Sequence, residues 1–356
     1  MEMKKARYKP NSVLTATPDI DDTTSRFDPT AQRVAIVMAT YNGGRFVEEQ
    51  IRSIQSQSFS EWLLYVRDDG SRDDTVQKVI QLEREDDRVK LIWDDLGNQG
   101  TVGNFSTLMK VALEEGADYL FFADQDDVWH PDKLAIMLGA MQNLESLNGK
   151  VAPLLVHCDL AVVDEQLHPV ADSFVKYSRL SPTTVEFGVL LCENQVTGCA
   201  CAINRSLLEL ASPIPRDVLM HDWWLALLAS SVGKIGFISK PLVMYRQHFS
   251  NVLGAMSFGQ RIKKFLFSLQ QWELQMRIIR RSFMQAELLA ERIKERGMEL
   301  SPIISRQINI YSQILNFAPI KRAIILRAHK IGRSVNITRL AFNLLIMIMA
   351  RKKEVK

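Results

Sequence analysis

Cysteine and long apolar runs are scarce in this chain of 356 residues, and each scarcity excludes a class of protein. The four cysteines, Cys158, Cys192, Cys199 and Cys201, are too few and too clustered for a secreted disulfide framework. They also lack a second ligand pair at zinc spacing, so we expect reduced, buried thiols in a cytosolic chain. Residues 1–32 contain no long apolar run, and we expect no secretory signal.

The longest apolar stretch covers Leu340 to Ala350 and is interrupted by Asn343. A helix rises 1.5 Å per residue, so this stretch is too short for a hydrocarbon core of about 30 Å. We therefore expect no membrane-spanning helix. With 47% hydrophobic and 24% charged residues, the composition is that of a globular protein and excludes a wholly disordered or collagen-like chain.

Charge divides the chain into two parts, although the net charge is only +3. Residues 1–254 carry 24 basic and 35 acidic side chains, whereas residues 255–356 carry 20 basic and 6 acidic ones. We predict a flexible extension over residues 1–32, a globular body over 33–254 and a basic α-helical region over 255–356. Two such parts indicate two kinds of partner.

Short apolar runs alternate with helical patterns along the first half of the body. Because the runs are apolar throughout rather than at every second residue, they predict a mostly parallel sheet with helices on both faces. The predicted strands are Val34–Met38, Trp62–Val66, Val89–Trp93 and Tyr119–Phe122. Further short strands are predicted at 154–157, 196–203 and 234–239, with a helix beginning near His221.

Three of the first four strands are followed by polar clusters, at the edge of the sheet where ligands bind in such folds. The clusters are Thr40 with Asn42, Asp68 with Asp69, and Asp124 with Asp126 and Asp127. The three carboxylates of the last cluster repel one another unless a cation neutralises them, and a hard divalent ion does so best. A solvated acidic turn before the next helix is the alternative.

A metal ion at this position would most naturally neutralise a diphosphate. The sequence has no Gly-x-x-x-x-Gly-Lys-Ser/Thr motif, and no Gly-x-Gly-x-x-Gly follows the first strand. These absences disfavour kinases, P-loop ATPases and dinucleotide oxidoreductases.

Five motifs together resemble the family-2 inverting glycosyltransferases of the GT-A fold, in the order expected for that family. The residues of the three motifs from Asp124 onward are most similar to those of the bacterial rhamnosyltransferase-type subgroup. The resemblance covers residues 34–250, about two thirds of the chain, and assigns residues 33–254 to a GT-A nucleotide-diphospho-sugar transferase domain. The motifs are Val37–Gly43, Arg67–Thr75, Asp124–Trp129, His221–Trp224 and Tyr245–His248.

The resemblance implies roles for particular residues. Asp222 is the expected general base, and Asp126, His248 and Asp124 are the expected ligands of a Mg²⁺ or Mn²⁺ ion on the diphosphate. One of Asp68 and Asp69 is expected to bind the base. The side chains expected to bind the nucleotide sugar are Thr40, Tyr41, Asn42, Asp68, Asp69, Asn98, Asp124 and Arg246.

The acceptor site is expected at His221, Trp223 and Trp224. His221 occupies a position where the family more often has glutamate, and a packing or surface histidine is the alternative. Either indole is suited to stack on a sugar ring or to fill the core at the start of a helix. For Arg246 an ion pair competes with a phosphate contact, and for Asn98 a helix entry is the alternative.

The resemblance therefore predicts metal-assisted transfer of a sugar, plausibly rhamnose, to a lipid-linked bacterial surface-polysaccharide acceptor. Transfer of another hexose from a UDP-sugar and a non-catalytic sugar-nucleotide-binding assembly protein are the alternatives. Basic charge among apolar residues near the C-terminus predicts peripheral binding to the anionic inner face of the cell membrane. Packing on the body or forming an oligomer are alternatives for that region, and nucleic acid is not an expected partner.

Overall fold

The computed structural model describes residues 33–181, 186–248 and 268–350 of the chain. Within these residues, nine strands belong to one sheet. The strands are β1 (Val34–Thr40), β2 (Trp62–Asp68), β3 (Val89–Leu91), β4 (Tyr119–Ala123), β5 (Val128–Trp129), β6 (Leu154–Val163), β7 (Pro169–Ala171), β8 (Cys201–Asn204) and β9 (Lys234–Arg246).

Twelve α-helices lie around the sheet in the described part of the chain. Eight of them belong to the body: α1 (Val47–Gln55), α2 (Thr75–Glu85), α3 (Gly100–Glu114), α4 (Lys133–Asn148), α5 (Phe174–Ser178), α6 (Phe187–Leu190), α7 (Arg205–Ala211) and α8 (His221–Val232). Four more follow near the C-terminus: α9 (Leu269–Glu295), α10 (Pro302–Ser312), α11 (Pro319–Ala328) and α12 (Asn336–Ile348).

The sheet is parallel in its first half and mixed in its second. Its strand order is β3-β2-β1-β4-β8-β6-β9-β5, with β7 paired to β6. The pairs among β1 to β4 are parallel as predicted, whereas β8 runs antiparallel to both β4 and β6, and β5 runs antiparallel to β9. The prediction of a mostly parallel sheet therefore holds for the first four strands, and the sheet as a whole is mixed.

Two apolar clusters cover the two faces of the sheet, as the continuous apolar strands require. Val34, Ile36 and Met38 of β1 belong to one cluster, whereas Ala35 and Val37 belong to the other. Successive side chains of a strand point to opposite faces, so both faces of β1 are buried. The strand β3 is shorter than predicted, and β6 and β9 are longer, because sheet pairing extends them past their apolar starts.

The C-terminal helices α9 to α12 share one apolar cluster with the body. Phe283 of α9, Tyr311 of α10, Leu326 of α11 and Phe342 of α12 are all buried in it. This region therefore packs on the body, which was one of the alternatives drawn from the sequence. The predicted extension over residues 1–32 and the predicted boundary at 254/255 lie outside the described residues.

All four cysteines are free and buried, as expected. None of the described helices combines the length and the apolar character needed to cross a membrane.

Candidate active site

The loops that follow β1 and β2 are tied to each other by side chains. The Thr40 hydroxyl donates to Asp68 Oδ1 at 2.8 Å. The Asn42 N–H donates to Ser71 Oγ at 2.7 Å, and Asn42 Oδ1 accepts from the Arg72 N–H at 2.9 Å. Asn42 has a φ of 49°, a left-handed conformation that asparagine tolerates better than most residues. The two loops therefore form one cross-linked surface at the carboxyl edge of the sheet.

Asp68 and Asp69 differ in how much of their hydrogen-bonding capacity the protein uses. Asp68 accepts four hydrogen bonds: from Thr40, from the Gly70 N–H, and from the Ser71 N–H and hydroxyl. Asp69 accepts three: Oδ1 accepts from Arg67 Nη1 at 2.8 Å and from the Gln99 N–H at 2.7 Å, and Oδ2 accepts from the Gly100 N–H at 2.8 Å, at the N-terminus of α3. Both carboxylates therefore hold their own loops, and Asp69 is the more buried of the two.

Asn98 and Tyr41 flank these carboxylates. Asn98 Nδ2 donates to the Asp69 carbonyl at 2.9 Å, and the half-exposed Tyr41 follows β1 directly. The Gln125 amide pairs with the Tyr41 main chain in both directions, at 2.9 and 3.1 Å. This pair joins the first loop to the acidic loop after β4.

The acidic loop after β4 meets the end of β9. His248 Nε2 lies 2.8 Å from Asp126 Oδ2, although the two residues are 122 positions apart in the sequence. Asp127 is fully buried, and its Oδ1 accepts from the Arg246 N–H at 3.1 Å. Asp127 Oδ2 has no hydrogen-bond partner among the described residues. A carboxylate of Asp124, one of Asp127 and the Cys199 thiol lie within 4.8 Å of one another.

Burial and mutual repulsion raise the pKa values of two carboxyl groups in this loop. The pKa of Asp124 is raised to about 7, by burial first and then by the charges of Asp126 and Asp222. The pKa of Asp127 is raised well above its ordinary value, again chiefly by burial and then by Asp126 and Asp124. Asp124 and Asp127 therefore keep their protons to higher pH than exposed aspartates do, because the neighbouring side chains do not compensate for burial and repulsion.

Arg246 is held by the protein itself. Its guanidinium is buried and donates to Glu49 Oε2 at 2.5 Å, to the Asp126 carbonyl at 2.8 Å and to the Glu165 carbonyl at 2.5 Å. The ion pair with Glu49 is the alternative that the sequence left open for this residue. Arg246 thus fixes the acidic loop, and its predicted phosphate contact stays a prediction.

Asp222 lies at the start of α8 and is held by three donors. Asp222 Oδ1 accepts from Asn194 Nδ2 at 3.0 Å and from the Trp223 N–H at 2.6 Å, and Oδ2 accepts from the Gly198 N–H at 3.0 Å. Burial raises the pKa of Asp222 to about 6, while the three hydrogen bonds oppose that rise. A carboxylate with this pKa is mostly ionised at neutral pH and is a stronger base than an exposed aspartate.

The three residues predicted to bind the acceptor all lie in the core. The Trp223 and Trp224 indoles donate to the carbonyls of Leu190 and Ala211, at 2.6 and 3.3 Å. The His221 ring packs 4.0 Å from the Phe105 ring, centroid to centroid. Packing thus accounts for both indoles, and their stacking on a sugar stays a prediction.

His221 is buried as a neutral side chain. Burial lowers its pKa to about 3, and neither ring nitrogen has a hydrogen-bond partner among the described residues. Its Nε2 packs against Gly198, where a Cβ would lie 2.7 Å from it. The position therefore requires glycine at 198, and a contact of His221 with the acceptor stays a prediction.

The sequence reasoning did not predict the contacts that four residues make in the site. Asn194 and Gly198 hold Asp222, Gln125 joins two loops, and the buried Lys133 donates to the Cys199 carbonyl at 2.6 Å. Of these four residues, Gln125 lies in a polar cluster that follows a predicted strand, and this pattern marks it as a site candidate. Asn194, Gly198 and Lys133 form hydrogen bonds with residues 24 to 66 positions away in the sequence, and no local sequence pattern predicts these contacts.

Comparison with known proteins gives a consistent family. Residues 35–149 match the model of Glycosyl transferase family 2. A dTDP-rhamnosyl transferase, RfbG of Shigella flexneri, is 28% identical over 248 residues, which are 66% of this chain and 80% of that protein. WfgD of Escherichia coli, a UDP-Glc:alpha-D-GlcNAc-diphosphoundecaprenol beta-1,3-glucosyltransferase, is 34% identical over 108 residues, which are 30% of this chain and 40% of that protein.

Among solved structures, S. aureus TarS 1–349 in complex with UDP aligns with a TM-score of 0.48 and 15% identity, covering 81% of this chain and 73% of that chain.

Proposed function

We propose that this chain, which carries a glycosyl transferase family 2 domain and is a glycosyltransferase, moves a sugar from a nucleoside diphosphate to a lipid-linked saccharide. One observation carries the proposal. Asp69, the Asp126–His248 pair and Asp222 all lie along one edge of the sheet. Asp222 contributes to the raised pKa of Asp124, so the proposed base and the proposed metal loop are close enough to serve one reaction.

We assign the donor as a nucleoside-diphosphate rhamnose. The similarity to a dTDP-rhamnosyl transferase over two thirds of the chain supports this choice. A UDP-hexose is the second candidate, because the similarity to a UDP-Glc-dependent glucosyltransferase is higher in identity but covers only 30% of the chain. Two relatives have diphosphoundecaprenol-type acceptors in their names, which supports a lipid-linked acceptor for this chain.

The nucleotide would lie against the loops after β1 and β2. Asp68 and Asp69 both stay candidates for the carboxylate that binds the base, since the protein already donates four hydrogen bonds to Asp68 and three to Asp69. Tyr41, exposed beside it, is suited to pack on the base or ribose. Thr40, Asn42 and Asn98 support this surface through their loop contacts.

A divalent cation fits the residues at the acidic loop. Asp126 and His248 place a carboxylate oxygen and an imidazole nitrogen 2.8 Å apart, and Asp124 adds a second carboxylate. Carboxylates suit Mg²⁺ and Mn²⁺, and the imidazole favours Mn²⁺ over Mg²⁺. When bound, the ion would neutralise charge that develops on the leaving diphosphate.

Asp222 would take the proton of the acceptor hydroxyl. A hydroxyl is a poor nucleophile until a base receives its proton, and Asp222 is held in place by three donors with a pKa of about 6. A single displacement at the anomeric carbon inverts its configuration and requires one base only, unlike the paired carboxylates of a retaining glycosidase. A non-catalytic assembly protein is not favoured, because it has no need of such a base.

A thermal-stability screen with nucleotide sugars tests the donor. We expect a dTDP-rhamnose sample with Mn²⁺ or Mg²⁺ to raise the melting temperature, because a ligand that binds the native state stabilises it. UDP-glucose and dTDP-glucose serve as controls that separate the nucleotide from the sugar. A response to UDP-glucose alone would select the second candidate, and no response to any nucleotide sugar would reject the function.

The Asp126→Ala variant tests the metal ligand. We expect calorimetric titration to show that metal-dependent donor affinity falls at least about 100-fold, since a lost ligand weakens both the ion and the diphosphate. Asp132→Ala, at an exposed position before α4, is a matched control that should bind as the wild type does. Unaltered affinity in Asp126→Ala would remove Asp126 from the metal site.

We further propose that the C-terminal helices bind an anionic lipid surface, with residues 255–356 as a helical region attached to the 33–254 catalytic domain. On α12, exposed apolar side chains recur every three or four residues, on one face of the helix. Exposed basic side chains lie near them, a pairing typical of interfacial helices. The apolar positions are Ile337, Leu340, Leu344 and Ile348, and the basic ones are Lys321, Arg327, Lys330 and Arg339.

Flotation with vesicles that contain anionic lipid tests this surface. Deleting residues 321–356 would also remove the buried Phe342, so exposed positions are changed instead. We expect Leu340→Gln with Leu344→Gln to lower the floated fraction severalfold at low salt, because buried apolar area contributes to binding. Leu147→Gln, an exposed leucine on α4, is the control. Equal flotation of all three proteins would reject the membrane surface.

A further inference from the structure

Lys133 is a buried charge that the proposed reaction does not use. Its side chain has no exposed surface, and its ammonium lies 3.4 Å from the centroid of the Trp129 ring. In the described part of the chain, the ammonium forms no ion pair within 4.0 Å of a carboxylate. Its hydrogen-bond partner is the Cys199 carbonyl at 2.6 Å. Burying an ammonium costs free energy of folding, and one hydrogen bond to a carbonyl offsets little of that cost. The burial of Lys133 therefore suggests a role for this contact.

The contact fixes a turn that reaches Asp222. Cys199 is the middle residue of a 3₁₀ turn, Gly198–Ala200, between the loop that holds Asn194 and strand β8. Its first residue, Gly198, donates its N–H to Asp222 Oδ2 at 3.0 Å. Lys133 therefore binds the carbonyl of Cys199, and the preceding residue, Gly198, donates a hydrogen bond to the proposed base.

The turn is confined on its other sides. The Cys158 thiol donates to the Ala200 carbonyl at 3.6 Å, and Gly198 packs so closely that an added Cβ would lie 2.7 Å from His221 Nε2. Lys133 is the first residue of α4, directly after the acidic loop that ends at β5. The turn thus connects the helix after the acidic loop with the residue at the start of α8.

We propose that Lys133 is a positioning residue: its ammonium holds the Gly198–Ala200 turn and through it orients the carboxylate of Asp222 toward the acceptor. The proposal rests on the proposed role of Asp222 as the base. The Cys199 thiol of the same turn lies within 4.8 Å of carboxylate oxygens of Asp124 and Asp127, so donor affinity has to be measured beside the rate. Lys133 itself donates to the Cys199 carbonyl and to neither of these carboxylates.

A Lys133→Met variant separates this role from a purely structural one. We expect kcat to fall about 10-fold to 100-fold, because a small displacement of a catalytic group is that costly. The donor Kd should change less than about twofold, because Lys133 donates to the Cys199 carbonyl and not to a residue proposed to bind the donor. Arg292→Met is the matched control, since Arg292 also donates to main-chain carbonyls and lies over a tryptophan ring, but its carbonyl partners are Leu210 and Pro213 and not residues of the turn. It should lower the melting temperature and keep kcat.

Gly198→Ala provides an independent second route to the same effect. Its Cβ would displace the turn while Lys133 remains, and we expect kcat to fall by a similar factor. The double variant should lose no more than the worse single variant, because both changes act through one turn. Multiplied losses, wild-type kcat in Lys133→Met, or a donor Kd that rises in step with the loss of kcat would overturn the proposal. Lys133→Leu, which also removes the donor, replaces Lys133→Met if that variant does not fold.

Amide hydrogen exchange gives a readout that does not depend on turnover. We expect the peptide containing Gly198 to exchange about 10-fold faster in Lys133→Met and at the wild-type rate in Arg292→Met, since protection follows local stability. Unchanged protection would overturn the proposal even if the chain transferred no sugar. Altered protection in a protein without transfer would reject the proposed function alone.

Discussion

The carboxyl edge of the sheet and the C-terminal helices both bury charged side chains, but they treat them differently. In the helices, the buried guanidinium of Arg322 donates four hydrogen bonds to the carbonyls of Leu315, Phe317, Ile346 and Met349. At the sheet edge, the acidic loop gathers three carboxylates, and Asp127 Oδ2 has no partner among the described residues. A buried charged group whose hydrogen bonds are all made by the protein stabilises the fold. A buried charged group that lacks a hydrogen-bond partner indicates a site for a ligand.

The difference also separates stability from function. A change among the satisfied groups of the helices should weaken folding and leave chemistry intact, because those groups contact only the protein. A change at the sheet edge should impair the chemistry without weakening folding, since like charges that are buried together oppose folding. The three predictions below test this separation through the transfer rate, the unfolding free energy and the pH dependence of stability.

The largest effect is expected from Asp222→Asn. Removal of a general base lowers the rate by about 100-fold to 10,000-fold, and the amide accepts no proton at neutral pH. Transfer assays under saturating donor should show this loss with an unchanged donor Kd. The wild-type rate should also fall below about pH 6, because the raised pKa of Asp222 means that the carboxylate takes up a proton there.

The matching control is Asp164→Asn, an exposed carboxylate that pairs with His168 and has no contact with the site. Its transfer rate should equal that of the wild type. Transfer at the wild-type rate in Asp222→Asn, with donor binding unchanged, would show that another group is the base.

A smaller effect, on stability rather than rate, is expected from Arg322→Met. The methionine fills part of the space but leaves four carbonyls without their donor, which costs about 2–4 kcal/mol of unfolding free energy. Urea unfolding measures the loss, and kcat should stay within about twofold of the wild type. Lys321→Met, the exposed neighbour, should change neither quantity. A lower kcat with unchanged stability would contradict the separation of the two regions.

The sequence allowed prediction of those parts of the fold that depend on local pattern. Continuous apolar runs located β1 to β4, and the polar residues after them located the loops at the carboxyl edge. The antiparallel insertion of β8 between β4 and β6 was missed, because its pairing joins segments far apart in the chain. The positions of Asp126 and His248 as neighbours came from the family resemblance alone, since 122 residues separate them.

The residues that orient Asp222 were missed for a physical reason. Asn194 and Gly198 act through one side-chain amide and one main-chain N–H, and such donors have no sequence signature. The pair Trp223 and Trp224 illustrates the opposite case. From sequence, aromatic residues beside a proposed catalytic position are equally consistent with stacking on a sugar and with packing in the core. Their burial and the direction of their N–H groups, toward the carbonyls of Leu190 and Ala211, favour packing.

The smallest effect is expected from Asp127→Asn, which removes a buried carboxylate that lacks a partner at Oδ2. Its folded pKa is raised above the unfolded value of about 3.9, so its contribution to stability is fully present below that value and is lost as pH rises through the folded pKa. The asparagine has no such loss. In chelator-treated protein, Asp127→Asn should therefore be more stable than the wild type, and the difference should be larger near pH 8 than near pH 5.

Asp86→Asn tests whether the pH dependence belongs to the unsatisfied carboxylate. The pair with Arg88 lowers the pKa of Asp86, so its contribution is present above the unfolded pKa and is lost only in more acidic solution. That variant should lose a similar, small amount of stability near pH 5 and near pH 8. If Asp127→Asn behaved in the same way, the acidic loop would be as well neutralised as the surface pair, and the inference from unsatisfied charge to a ligand site would lose its physical basis.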